Sequence, residues 1–248
     1  MPIDPRSYAP PADLLAGRVI FVSGATRGIG RAVATALARQ RATVIAHGRD
    51  TRALDDFYLE LKELGPEPAV AQLDLERAQG EEYRHLTEQI ADRYGRLDGL
   101  LHNAGILGDR SPIEHYDIEV WQRVMYVNVT SAFVLTRCFL PLLRQSRDAS
   151  IVFTTSGVGN KGRAYWGAYA ASKFATEGLS QVLADELEST SIRVNCINPG
   201  KSRTRMRAHA YPAEDPKTVP PPESLTGPYL YLLGPDSKSV TGQRIDCQ

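Results

Sequence analysis

Cysteine is scarce. The 248-residue chain holds three, Cys138, Cys196 and Cys247. They are odd in number and too widely spaced for a metal-ligand pattern or a disulfide framework, so a reducing compartment is the simplest inference. Net charge is missing as well, since 29 Lys and Arg face 29 Asp and Glu. A chain without an overall field has nothing to draw a polyanion, and nucleic acid is excluded as an expected partner. No apolar run approaches the ~20 residues that span a bilayer, so no membrane association is expected. The opening stretch, MPIDPRSYAPPADLLAG, carries prolines and charges where a signal peptide needs apolar residues. The expected location is therefore cytoplasmic. His47, His102 and His115 share no helical face, and no metal site is read.

What is present is an alternation. Short apolar runs at Val19–Val22, Thr43–Ala46, Ala69–Ala71, Leu97–Leu101, Ile151–Phe153 and Ile192–Ile197 alternate with longer patterned stretches at 28–40, 51–64, 79–94, 116–145 and 167–189. Strands apolar on both faces, separated by helices, predict an α/β fold with a doubly wound parallel sheet covered by helices on both sides. One domain over 1–248 is expected, with a proline-rich N-terminal arm at 1–13. The prolines at 212–222 predict a loop, and 205–226 is read as a mobile substrate loop. A short helix near 223–233 and a last strand near 243–246 follow.

The first strand runs into Ser23-Gly24-Ala25-Thr26-Arg27-Gly28-Ile29-Gly30. Glycines at a strand–helix turn let a pyrophosphate approach bare N–H groups at a helix N-terminus, where the dipole favours negative charge. The G-x-x-x-G-x-G spacing is not a Walker P-loop, which ends in Gly-Lys-Ser/Thr. An ordinary glycine-rich turn or a methyl-donor site remains an alternative at this point. At the end of the second strand, where an NAD site puts a carboxylate for the ribose 2′-hydroxyl, Gly48 and Arg49 stand instead. Arg49, with Arg27 from the glycine turn, suits a 2′-phosphate. NADP(H) is preferred, with NAD(H) left open because Asp50 follows.

Tyr169 and Lys173 are four apart on a helical stretch and project from one face. A unit charge about 5 Å from a phenol, at an effective dielectric of about 20, is worth roughly 3 kcal/mol and lowers its pKa by about two. Lys173 is therefore expected to bring Tyr169 toward general acid–base work near neutral pH. Ser156, just beyond the strand Ile151–Phe153, lies at the carboxyl edge where such sheets bind ligands.

Taken together, the turn Ser23–Gly30, Asn103-Ala104-Gly105, Ser156, Tyr169-Ala170-Ala171-Ser172-Lys173 and Asn198-Pro199-Gly200 resemble the short-chain dehydrogenase/reductases. The resemblance runs from about residue 16 to 204, resumes at Thr241-Gly242, and is closest to the family's bacterial YciK-like branch. It implies a Rossmann-type fold and an NAD(P)-dependent oxidoreductase that interconverts a carbonyl and an alcohol. It implies that Asn128 orders a water linked to Lys173, completing a catalytic set with Ser156 and Tyr169. It also implies cofactor contacts from Gly24, Thr26, Arg27, Gly28, Ile29, Gly30 and Arg49, from Asp74 and Leu75 at the adenine, and from Asn103, Ala104 and Gly105. Tyr169 and Lys173 join them, as do Pro199, Gly200, Ser202 and Thr204 at the nicotinamide. For Asp74 a helix cap is the plain alternative. Ser23 replaces the usual threonine, His102 stands where many members have asparagine, and the C-terminal Ile245-Asp246-Cys247-Gln248 lacks the usual Asp-Gly-Gly.

On the substrate side, Lys201, Arg203, Arg205 and Arg207 suit an acidic substrate, including an acyl thioester on a carrier, or form a solvated loop. Leu107, Tyr165, Trp166 and Tyr211 are candidates for an apolar pocket. A small-molecule carbonyl or alcohol is the expected partner, with assembly as a homodimer or homotetramer. A 3-oxoacyl carrier-type reductase and a dinucleotide-binding regulatory protein with little turnover are the alternatives.

Overall fold

A strand in the middle of a helix-covered sheet must be apolar on both sides, and β1 (Val19–Val22) is buried along its whole length. A computed structural model describes residues 3–248, so the first two residues of the N-terminal arm lie outside the described residues. With β1 run β2 (Thr43–Gly48), β3 (Ala69–Gln72), β4 (Gly99–His102), β5 (Ala149–Thr154), β6 (Ile192–Asn198) and β7 (Arg244–Asp246). They form one sheet in the order β3-β2-β1-β4-β5-β6-β7, with every neighbouring pair parallel. The expected doubly wound sheet is present, and β7 forms despite the atypical C-terminal sequence. Strand order reverses between β1 and β4, which opens a crevice at their carboxyl ends.

Alternate residues of β1 feed opposite faces. Phe21 packs with Leu100, Phe139 and Ile151 in one core, whereas Ile20 and Val22 join Leu37, Leu101 and Tyr229 in the other. Helices α1 (Gly28–Arg39) and α2 (Thr51–Lys62) cover the second face, and α3 (Gly80–Tyr94) the first. The start of α2 is set by Asp50, whose carboxylate accepts from Ala53 N at 3.0 Å. A reciprocal Gln79/Glu82 capping box starts α3, and Gly95 ends it in the left-handed region. In contrast, α1 starts at Arg27 with no capping side chain.

The 116–145 pattern resolves into α4 (Ile118–Met125), a π turn at Tyr126–Thr130 and α5 (Ser131–Leu143). These join into a helix of 26 residues, Ile118–Leu143, long and apolar enough by length and composition to cross a membrane. The π turn continues the helix rather than ending it, and no uninterrupted apolar run of spanning length lies within it, because Glu119, Arg123 and Arg137 break the sequence. Half of its most apolar window is buried within the fold, where Leu135, Phe139 and Leu143 belong to the first core. Helix α6 (Gly167–Glu186) packs beside α4.

Segment 205–226, expected as a mobile substrate loop running into a helix near 223, is already helical at its start. Thr204 Oγ1 accepts from Arg207 N at 3.2 Å and starts α7 (Arg205–Ala210). Turns of 3-10 helix at Pro216–Thr218 and Pro222–Leu225 use their prolines in the first turn, where a missing N–H costs nothing. They lead into α8 (Thr226–Leu233). The N-terminal arm lies against this helix, with Tyr8 Oη donating to Asp236 at 2.7 Å and its ring 5.2 Å from Tyr231.

Candidate active site

The carboxyl end of β5 delivers Thr154, Thr155 and then Ser156, whose hydroxyl accepts from Val158 N at 3.5 Å. Four-residue spacing on α6 turns Tyr169 and Lys173 to one side, and both are buried. The Tyr169 ring and Lys173 Nζ stand 5.6 Å apart, and Nζ donates to Thr154 O at 2.7 Å. Burial pushes the phenol up to about 12, and the Ser156 hydroxyl is what pulls the other way. Burial also lowers Lys173 to about 8, against the opposing pull of Cys196 and Glu177. The expected depression of Tyr169 by Lys173 is therefore corrected. Desolvation of the phenolate outweighs the ammonium, which is committed to the Thr154 carbonyl.

Asn128 lies in the π turn rather than in regular helix. Extra turns of this kind recur at functional sites because they re-aim one side chain. Its Oδ1 accepts from Ile106 N at 2.8 Å, while Nδ2 donates to Ile106 O at 2.9 Å and to Ser172 Oγ at 3.0 Å. Asn128 makes no direct bond to Lys173. Both line a small cavity of about 10 Å³ together with Ser23, His102 and Thr154, about the volume a single water needs.

Beside this cluster lies the glycine turn. Gly24 adopts φ +66, and a Cβ there would stand 2.9 Å from Ala104 Cα. On Gly30 a Cβ would meet Gly24 O at 2.2 Å and Asn103 Nδ2 at 2.4 Å. Asn103 Nδ2 donates to Ser23 O and Gly24 O, and Ser23 Oγ accepts from Asn103 N at 2.9 Å and Ala104 N at 3.0 Å. The tripeptide Asn103-Ala104-Gly105 is thus bolted to the turn through the hydroxyl that Ser23 retains. Thr204 reaches the same place, 3.3 Å from where a Gly28 Cβ would be. The turn leaves the first amides of α1, at Gly28, Ile29 and Gly30, without a capping side chain, and Ser202 Oγ is buried without a partner. Tight bare backbone, uncapped amides and an orphaned hydroxyl on the facing segment fit a dinucleotide.

At the end of β2, a Cβ on Gly48 would lie 2.8 Å from Thr26 Cγ2, so a side chain there would have to displace the Thr26 methyl. Asp50 is committed to capping α2. Arg49 is largely exposed and only loosely approached by Glu76, at 3.9 Å; Arg27 is exposed as well. Asp74 takes the plain alternative at least in part, accepting from Glu76 N at 3.1 Å, and Leu75 is buried in the first core. Pro199 and Gly200 are braced by Gln248, whose Nε2 donates to Pro199 O at 2.9 Å and to Lys201 O at 2.6 Å.

On the substrate side, Leu107, Trp166, Tyr169, Ala170 and Ala210 form a third apolar cluster, with Val158, Met206 and Tyr211 against it. Tyr165 does not join them and is exposed with φ +70. Of the basic run, Lys201, Arg203 and Arg205 are exposed, but Arg207 makes a two-pronged pair with Glu214 at 2.6 Å. Some participants were not singled out from sequence. Thr154 acts through its carbonyl, which no side-chain pattern reports. Glu177 accepts from Thr155 Oγ1 at 2.7 Å and Arg244 Nε at 3.0 Å, and its place four residues after Lys173 was the available signal. His47 Nε2–H donates to Leu73 O at 3.0 Å, leaving Nδ1 to accept from Gly24 N at 3.2 Å.

Comparison with known proteins agrees with this geometry. The sequence profile of the short chain dehydrogenase family matches residues 18–215. The oxidoreductase YciK of Escherichia coli strain K12 is 50% identical over 97% of this chain and 96% of its own length. A 3-oxoacyl-[acyl-carrier-protein] reductase, FabG of Thermotoga maritima, is 32% identical over 93% of this chain and 96% of its own. Among solved structures, a short chain dehydrogenase from Escherichia coli CFT073 complexed with NADPH superposes with a TM-score of 0.94 at 51% identity, covering 96% of this chain and 100% of that one. With the Rossmann-type sheet and its glycine turn in place, the chain belongs to the short-chain dehydrogenase/reductase family and is an NAD(P)-dependent oxidoreductase.

Proposed function

We propose that the protein interconverts a small-molecule carbonyl and alcohol with NADP(H), using Tyr169 as the general acid–base. The observation that carries this reading is the convergence of Ser156, Tyr169 and Lys173 at the carboxyl end of β5. A nicotinamide dinucleotide supplies or accepts the hydride when bound. In reduction, Tyr169 gives its proton to the carbonyl oxygen as negative charge develops there. Ser156 donates a hydrogen bond to the same oxygen and orients it. Lys173, charged below about pH 8, stabilises the phenolate left behind. The phenol, held up at about 12, is protonated at neutral pH, the state a general acid needs. Asn128 and the small cavity it shares with Lys173 support a water-borne path for reprotonation.

NADP(H) over NAD(H) is supported by Arg49 and Arg27, by glycine rather than a carboxylate at position 48 and by the engagement of Asp50 with α2. The NADPH-bound relative points the same way. Asp74, Leu75, Asn103, Ala104, Gly105, Pro199, Gly200, Ser202 and Thr204 complete the proposed cofactor contacts. Exposed Phe133, Phe174 and Val182 on α5 and α6 support a homodimer or homotetramer, and the free thiols a reducing, cytoplasmic setting. An acyl-carrier substrate held by Arg205 and Arg207 loses support, because Glu214 occupies Arg207.

The test is oxidation of NADPH, followed by the absorbance of the reduced nicotinamide, against aldehydes, ketones, quinones, α-diketones and acyl thioesters. Turnover of one class with NADPH, at least tenfold more efficient than with NADH, is expected. Tight NADPH binding without turnover of any class would favour a regulatory role instead.

A further inference from the structure

We propose that the substrate carries an anionic group, a carboxylate or a phosphate, which Arg110 and Arg163 hold against Tyr211 beside the reacting phenol. The inference rests on the oxidoreductase reading and narrows it to a substrate class. The aromatic side chains at the site form a row, with Trp166 5.9 Å from Tyr169 and 5.8 Å from Tyr211 between ring centroids. Three guanidinium groups converge on the far ring. Arg207 lies 3.7 Å above the Tyr211 centroid and Arg110 5.3 Å from it, while Arg163 Nη1 donates to Tyr211 Oη at 2.9 Å. Arg110 also stacks on Trp166 at 5.1 Å and donates to Ala210 O.

One carboxylate serves these three cations, since Glu214 is bonded through both oxygens to Arg207. Neither Arg110 nor Arg163 pairs with an acidic side chain among the described residues. Asp109, next in sequence to Arg110, has its amide turned to Tyr116 Oη at 3.1 Å. Guanidinium groups of like charge around a single ring repel, and Arg110 and Arg163, each committing one N–H to Ala210 O or Tyr211 Oη, keep further N–H donors for a planar or tetrahedral oxyanion. Trp166 adds an independent sign of a missing partner, because its Nε1–H is buried with no acceptor in a side chain only 7% exposed. Leu107, Met206 and Val158 pack around Trp166 and Tyr169, so the ground between the phenol and the cations is apolar and suits the body of a substrate. These are not the residues of the basic run 201–207 but cations contributed by the segments after β4 and before α6.

The test uses two pairs of probes, a formylbenzoate and a formylbiphenyl carboxylate, each against its neutral parent aldehyde. Binding is read from Trp166 fluorescence in a Trp121→Phe background, and turnover from NADPH oxidation. At least one acidic probe should bind ten or more times tighter than its parent. The ratio should shrink with added salt and fall toward one in Arg110→Gln/Arg163→Gln. Glutamine keeps an amide donor for Ala210 O and Tyr211 Oη, and the single variants serve if the double one does not fold. Equal binding of acid and parent in both pairs, or a preference that survives both substitutions, overturns the proposal. Acid-selective binding with no turnover of any probe upholds the anion site and counts against the proposed carbonyl–alcohol reaction, so the two failures are distinct.

Discussion

In the proposed chemistry Tyr169 gives up a proton from a position where burial opposes its ionisation, and Lys173 keeps a charge that burial makes costly. The two requirements set a pH dependence. Because the Lys173 pKa is lowered to about 8, the ammonium is lost as pH rises past that value, and reductive kcat should decline above it while NADPH affinity changes little. A profile flat to pH 10 (well past the ~8 of Lys173) contradicts that assignment. At the other end of the dinucleotide site, Arg49→Ala removes charge-assisted bonds worth about 1.5–3 kcal/mol. NADPH affinity should drop about 10–100-fold, with a much smaller effect on NADH; equal losses for both cofactors count against the 2′-phosphate role. The candidate trio was legible in the sequence because Ser156, Tyr169 and Lys173 occur together with the glycine turn; a shared helical face alone would not have singled out a Tyr–Lys pair. Their pKa balance was not legible, since it depends on burial and on the Thr154 carbonyl that takes Lys173 Nζ.

Among the elements, the turn from β1 into α1 does the most positioning. Gly30 sits so close to Gly24 O that Gly30→Ala forces the turn apart, an overpacking cost of about 1–3 kcal/mol. Its thermal unfolding midpoint should fall and its NADPH affinity with it; an alanine variant with unchanged affinity contradicts this packing. Ser23→Ala deletes the acceptor of two amides from Asn103 and Ala104 and should destabilise by about 1–3 kcal/mol in urea titration, whereas Ser23→Thr retains the hydroxyl and should be close to neutral. Hydrophobic runs identified the strands, and glycine spacing identified this turn. The π turn carrying Asn128 and the short helix α7 were not legible. One inserted residue turns the apolar stripe by about 100° at a single point, which a stretch rich in apolar residues on several sides does not reveal, and α7 is too short for periodicity to register.

At the scale of the whole molecule, the parallel sheet brings β1, β4 and β5 to one edge. Segments far apart in sequence, at 23–30, 103–105, 154–156 and 199–204, thereby meet around the crevice. The sheet also buries His47 and His102, whose pKa values fall to about 4 and about 3 through desolvation. Both are neutral in the folded protein and titrate near 6.5 when unfolded, so stability is full above about pH 6.5 and is lost as pH falls toward 4, by up to about 1.4 kcal/mol per pH unit for each histidine. Urea midpoints should drop across this range, and His102→Asn, the residue many family members carry, should flatten the dependence. Midpoints unchanged between pH 7 and 5 (a window inside that ~6.5-to-4 decline) contradict it. The overall architecture followed from the alternation of strands and helices; the burial of these two rings depended on packing that the pattern does not encode. The most direct test of the proposed chemistry is Tyr169→Phe, assayed on the best carbonyl found with NADPH. Turnover should fall at least 100-fold while NADPH binding and the thermal midpoint stay close to wild type; turnover near wild type would mean that another group donates the proton.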